Sequence, residues 1–226
     1  MPAQRLRTVM QRIHNAADAA GRTAPVLLAV SKTWPAEAVA GLAAAGQLAF
    51  GENYVQEAVA KRQALAPTHP GLQWHLVGHL QSNKAALAAE AFDWVQSVDR
   101  PGLATALARR RAPGRGPLNV LVQVNVEGEA GKGGCRPEDL PALADQVAAE
   151  PMLALRGLMS IPVPHADPEL RRPAFRSMRV LFEALAERHA GIDTLSMGMS
   201  DDFAIAIEEG ATMVRIGTAL FGPRPG

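Results

Sequence analysis

Apolar positions in this chain of 226 residues gather into short runs, each broken off by polar, glycine or proline positions. The runs are VLLAVSK (26–32), QLAFGEN (47–53), LQWHLVGHLQ (72–81), FDWVQSV (92–98), NVLVQVNV (119–126), LRGLMSI (155–161), DTLSMGMS (193–200) and TMVRIGTALFG (212–222). Their length and composition read as buried strands. Between them lie alanine- and leucine-rich stretches of helical period, among them PAEAVAGLAAAG, VQEAVAKRQALA and RPGLATALARRRA, and an amphipathic segment, MPAQRLRTVMQRIHNAAD, leads the chain. Eight strand–helix alternations can form an open doubly wound sheet or close into a barrel. The count favours closure, so the expected fold is α/β, a single (β/α)8 TIM barrel with a leading helix.

Composition narrows this little but excludes much. With 48% apolar residues, one substantial core suffices, and no linker or composition change divides residues 1–226. APGRGP (112–117) and IPVPHADP (161–168) read as loops. Lys plus Arg number 23 and Asp plus Glu 22, with no long run of one sign, which argues against a nucleic-acid groove or a membrane-surface patch and for a small-molecule partner. Cys135 is the only cysteine, so an internal disulfide and a cysteine-based zinc cluster are both excluded, as suits a reducing cytoplasm. The leading segment is charged throughout, unlike a secretion signal, and no apolar stretch has the length of a membrane span.

Chemistry in such barrels gathers at the carboxyl ends of the strands, and one residue there stands out. Leu28, Val30 and Lys32 share one face by two-residue parity, so Lys32 enters the barrel at its upper rim. Desolvation disfavours the ammonium, and a neutral amine can trap a carbonyl; the plainer reading is a rim lysine snorkelling to water. At the other end of the chain, SMGMS (196–200) and VRIGTALFG (214–222) close strands seven and eight, where these barrels often hold phosphate. Ser200 precedes DDFAIAIEEG and can cap that helix, while Gly217 and Thr218 offer close backbone approach and a hydroxyl. Asp201 and Asp202 in the same turn oppose an anion there, and the glycines also suit tight barrel corners. Arg215 lies inside a strand that otherwise reads as buried and needs a partner. That partner is either a neighbouring carboxylate such as Glu52 or a ring nitrogen held unprotonated by a donor that keeps its own proton. An amine, a phosphate cradle and a ring-nitrogen partner together describe a pyridoxal phosphate site.

These segments resemble the pyridoxal phosphate homeostasis proteins, single-domain relatives of the alanine racemase barrel. The likeness runs end to end and rests on AVSKTWP (29–35), FGENYVQE (50–57), WHLVGHLQSNK (74–84), RGLMSI (156–161), LSMGMSDDFAIAIEEG (195–210) and VRIGTALFG (214–222). It implies that Lys32 carries pyridoxal 5'-phosphate as a Schiff base, that Ser200, Gly217 and Thr218 hold the phosphate, that Arg215 faces the ring nitrogen, and that Asn53 and Ser196 line the pocket. It also implies a monomer that buffers, stores or delivers the cofactor, with PLP-dependent apo-enzymes as possible transient partners and no robust turnover. The alternative is a minimal pyridoxal phosphate enzyme such as an amino-acid racemase. Racemases of this kind resemble a two-part design, with a second domain and an acid–base tyrosine. Here the chain is expected to lack that domain, and its one tyrosine, Tyr54, follows the second strand.

Two motifs read as decoys. GEAGKGG (128–134) lacks the spacing of a nucleotide-binding loop and suggests a mobile flap whose exposed Lys132 could be a second attachment point for an aldehyde. His75 and His79 are four apart but lack the glutamate of a helical metal pair and fall in a strand, so one is expected to line the pocket mouth and the other to pack. Trp34, Trp74 and Trp94 read as core or rim packing.

Overall fold

In the computed structural model, which describes residues 2–223, parallel strands pair in chain order and close into a barrel, the last bonded to the first. They are β1 (Val26–Val30), β2 (Ala49–Glu52), β3 (Gln73–Leu76), β4 (Trp94–Val98), β5 (Leu118–Gln123), β6 (Leu153–Met159), β7 (Thr194–Ser196) and β8 (Met213–Ile216). The helices are α1 (Pro2–Ala19), α2 (Ala36–Ala43), α3 (Val55–Leu65), α4 (Ala85–Ala91), α5 (Pro101–Arg110), α6 (Leu140–Ala149), α7 (Arg172–Arg188), α8 (Phe203–Glu208) and the single turn α9 (Thr218–Phe221). The expected (β/α)8 barrel with its leading helix is therefore what forms. Among the described residues no helix is long and apolar enough to cross a membrane.

Parity along each strand divides the core in two. Leu27 and Ala29 join the large apolar layer between strands and helices, whereas Leu28 packs with Ala49, Val77 and Met213 in a small separate cluster inside the barrel. Gly51 opposes this cluster, and a Cβ there would lie 3.2 Å from Leu28 Cδ2, so the missing side chain makes room for the leucine. On the outside each helix buries one stripe. In α1 the stripe is Leu6, Val9, Ile13 and Ala17, spaced by three or four, and it packs on α8 and α9. In α5 it is Leu103, Ala104, Leu107 and Ala108; each buried leucine there contributes roughly 1.5–3 kcal/mol.

The strands are shorter than the apolar runs that announced them, and the reason is the site. Trp34, Val77, Ile161 and Met199, apolar residues beyond the carboxyl ends of β1, β3, β6 and β7, wall a cavity rather than extend the sheet. β7 stops at Ser196, two residues before Gly198, whose φ of +90° suits glycine; a Cβ there would also come within 2.6 Å of Ala206 Cβ. β8 stops at Ile216, and TALF, expected to continue the strand, instead forms α9. Gly217 makes that turn against β1, where a Cβ would sit 3.2 Å from the Val30 carbonyl oxygen.

Candidate functional site

A cavity of about 380 Å³ opens at the carboxyl ends of the strands. It gathers residues that are far apart in the chain: Lys32 beyond β1, Asn53 beyond β2, Ser200 beyond β7, Arg215 within β8, and Gly217 with Thr218 beyond it. Of the seven residues expected to bind the cofactor, only Ser196 is off this wall. It lies fully buried at the end of β7, where its Oγ accepts a 2.8 Å bond from Arg215 Nη1. The remaining wall is mainly apolar, from Val30, Trp34, Val77, Ile161 and Met199, with Asp201 and Gly222 at the edge.

Lys32 is half-buried, and the backbone on either side of it is clamped. The clamp is a buried ionic cluster built on α3. Lys61 Nζ donates 2.7 Å bonds to the Ser31 carbonyl, to Glu52 Oε1 and to Glu57 Oε1. Ser31 Oγ donates to the same Glu52 oxygen at 2.6 Å, and Glu57 Oε1 accepts from the Thr33 amide at 2.6 Å. Thr33 has a φ of 68°, a conformation costly for a β-branched residue, by about 1–3 kcal/mol. The cluster thus holds a strained turn that aims the preceding lysine. One residue further on, Trp34 stacks on Phe221 of α9 with ring centroids 5.7 Å apart, tying the β1 exit to the β8 exit.

Glu52 faces α3, on the opposite parity from the cavity-lining Asn53, so the anticipated Arg215–Glu52 ion pair does not form. Arg215 instead meets neutral acceptors, Ser196 Oγ and, at 2.7 Å, the Ser160 carbonyl. Burial pushes its guanidinium down to about 10, partly offset by the charge of Asp202, so it remains a cation at neutral pH. Glu52 itself is displaced upward by burial, against the lowering pull of Lys61 and Ser31.

Ser200 does not cap α8. The N-cap is Asp202, whose Oδ1 accepts from the Met199 amide at 2.6 Å and whose Oδ2 pairs with Arg171 at 2.5 Å. Asp202 is buried and neutralised by that arginine, which removes half of the expected acidic repulsion; Asp201 stays on the wall. Amides opening α9 beside Gly217 are available to an anion, since the first amides of a helix lack intrahelical acceptors.

Neither His75 nor His79 is among the residues of the cavity wall, so the expected place of one of them at the pocket mouth is not taken. His75 is buried, stacked on Trp94 with centroids 5.1 Å apart, and burial pushes its imidazole down to about 3. His79 is largely exposed, with Nδ1 3.8 Å from Asp99 Oδ2. Lys132 is not the exposed amine expected of the flap, because it pairs with Glu129 at 2.7 Å and is only 21% exposed in its side chain. Cys135 is buried and its thiol is raised to about 12, which makes it inert. Trp74 packs on Phe50, and Arg156 lies over the Trp94 ring. Two contributors escaped the sequence reading. Lys61 carries its own signal, a lysine on the buried stripe Val55, Ala58, Lys61, Leu65 of α3. Gly78 carries none: a Cβ there would run into the Asn53 backbone, so its bare backbone seats a wall residue from the neighbouring strand.

A family model described as alanine racemase, N-terminal domain, matches residues 3–225. The chain belongs to that family. Within it, a Pseudomonas aeruginosa protein named pyridoxal phosphate homeostasis protein is 54% identical over 224 residues, covering 98% of this chain and 95% of the relative. One of the same name from Escherichia coli K12 is 49% identical over 227 residues, at 98% and 96% coverage. Among solved structures, PipY of Synechococcus elongatus PCC7942 with PLP bound superposes with a TM-score of 0.86 at 38% identity, over 98% of this chain and all of PipY. An alanine racemase of Clostridium difficile 630 shares the fold, with a TM-score of 0.71 at 15% identity, and this chain spans 57% of it. The family member described here thus has its full-length likeness among the homeostasis proteins and only a partial one in the racemase.

Proposed function

We propose that this chain binds pyridoxal 5'-phosphate in the cavity at the carboxyl ends of its strands and serves intracellular homeostasis of that cofactor. The observation that carries this reading is the meeting of an amine, a buried guanidinium bonded to neutral acceptors and a glycine-opened helical turn on the wall of one cavity of about 380 Å³. The donor set suits a small aldehyde with an anionic tail and a ring nitrogen. The cofactor, when bound, supplies an aldehyde for reversible attachment to amines and an electron-withdrawing ring.

The rest is work for the chain. Lys32 is the attachment amine, aimed by the clamp on Ser31 and Thr33. Gly217, Thr218 and Ser200 hold the phosphate, through the opening amides of α9 and two hydroxyls. Arg215 meets the ring nitrogen as a permanent donor and keeps it unprotonated, which weakens the ring as an electron sink. Asn53 borders the same pocket, and Ser196 seats Arg215 from behind. The role we assign is carriage rather than turnover, in a monomeric cytoplasmic protein that passes the cofactor to apo-enzymes. Supporting it, Tyr54 is 61% exposed and is not among the residues of the wall, so no tyrosine stands there as a second acid–base group.

Titration of the purified protein with pyridoxal 5'-phosphate, followed by borohydride reduction and peptide mapping, tests the binding. A visible absorbance band and a label on Lys32, both lost in Lys32→Ala, are expected. Absence of the band at saturation overturns the binding, and a label elsewhere overturns the assignment of Lys32. In deuterated water, α-proton exchange of amino acids no faster than with free cofactor is expected; sustained faster exchange establishes an enzyme instead.

A further inference from the structure

A chain of side chains crosses the barrel interior behind the cavity. Arg215 Nη1 lies 2.8 Å from Ser196 Oγ, Ser196 Oγ 2.7 Å from Gln96 Oε1, and Gln96 Nε2 3.0 Å from His75 Nδ1. These residues come from β8, β7, β4 and β3, and all are buried. Gln96 Nε2 also touches Met213 Sδ at 3.1 Å. At its far end His75 borders a second cavity, of about 650 Å³, ringed by residues at the amino-terminal ends of the strands such as Val26, Ala49 and Gln73. The chain therefore spans the barrel from one mouth to the other.

The direction of every proton follows from one fact: a guanidinium only donates. Ser196 Oγ must accept from Arg215, so its own proton goes to the other neighbour, Gln96. That neighbour must present its carbonyl, which turns its amide N–H toward His75 Nδ1. Nδ1 is then an acceptor, and the imidazole carries its proton on Nε2. We infer that Gln96 and His75 are positioning residues for Arg215, with the His75 tautomer locked as Nε2–H by a relay that begins at the cavity. Among the described residues no carboxylate hydrogen-bonds to Arg215, so these neutral contacts, with the Ser160 carbonyl, are what orient it. A His75 held neutral by burial cannot break the relay by protonating near neutrality.

The tautomer is tested without any cofactor, by long-range proton–nitrogen correlation on protein labelled at histidine. The expected result is a bare Nδ1 and a protonated Nε2 for His75, unchanged between about pH 5 and 8, the range in which an ordinary histidine titrates. A proton on Nδ1, or titration within that range, overturns the relay. Two variants separate positioning from mere support of the fold, each checked for wild-type circular dichroism and thermal midpoint. Gln96→Glu keeps an acceptor for Ser196 but as a carboxylate cannot donate to His75, so the tautomer should flip to Nδ1–H. Gln96→Leu removes the acceptor, so the band should shift and become pH-dependent, with affinity lower by about tenfold. Identical bands and affinities in wild type and Gln96→Leu overturn the positioning role. The cofactor arm rests on the proposed function; if no protein develops a band, that reading fails while the tautomer measurement still decides the relay.

Discussion

Replacing Lys61 by methionine should be among the most damaging single changes in the molecule that leaves the cavity wall intact. Methionine preserves the stem's volume and removes only the ammonium. Three acceptors then lose their donor: the Ser31 carbonyl, Glu52 Oε1 and Glu57 Oε1. Glu57 is partly exposed and recovers water, but Glu52 is fully buried and keeps only the Ser31 hydroxyl. Breaking a buried ion pair from one side costs about 3–5 kcal/mol, because the abandoned charge stays desolvated. For a chain of this length each 1 kcal/mol moves the thermal midpoint by about 2–4 °C, so a fall of roughly 6–20 °C is expected. Urea unfolding at pH 7 measures the free energy. The sign of the pH dependence provides a second check. Burial already holds the Glu52 carboxyl above its ordinary 4.5, so the folded state binds its proton more tightly than the unfolded chain, and stability falls as pH rises through that window. Without Lys61 the carboxyl moves higher still; the defect should be greatest at neutral pH and shrink on acidification toward 4.5. The double variant Lys61→Met/Glu52→Gln should recover most of the loss. A loss under about 1 kcal/mol, the size of an exposed pair, or no recovery in the double variant, would refute the reasoning.

Acid should act oppositely through His75: its folded value of about 3 lies below the ordinary 6.5, so stability is intact above 6.5 and drains away as pH falls toward 3. Chemical denaturation at several pH values should show a slope of up to about 1.4 kcal/mol per pH unit that His75→Gln flattens. Gly78→Ala drives a methyl group into the Asn53 backbone, so the wall must shift; we expect about 1–3 kcal/mol of destabilisation and weaker cofactor binding, read by urea melts and absorbance titration. Arg171→Met strands the buried Asp202 carboxylate that holds the Met199 amide ahead of α8, and should cost about 3–5 kcal/mol while loosening the Met199–Ser200 turn. Limited proteolysis should then cut near residue 200 first.

The site was legible wherever a residue's chemistry clashed with its neighbours. Lys32 and Arg215 announced themselves because a charge at the end of, or inside, an apolar run must have a use, and parity alone placed Lys32 over Leu28 and Val30. Gly217 and Thr218 followed from the habits of the fold. What parity could not supply was partnership. Glu52 was a plausible mate for Arg215 until the pleat turned it toward Lys61, one residue out of phase with the cavity. Ser200 was a reasonable cap until Asp202 took the position, held there by an arginine 31 residues away in the chain.

Taken alone, the order of residues determined the alternation of strands and helices, the closure of eight of them into a barrel and the rim on which chemistry gathers. Those properties depend on period and count, which are local and additive. Which charged group meets which, where each strand stops, and which proton each buried polar atom carries were decided only by the closed barrel. Closure brings β1 against β8 and aligns Arg215, Ser196, Gln96 and His75 across the interior. A hydrogen bond is short-ranged and directional, so its partner is a property of three-dimensional neighbours rather than of sequence spacing.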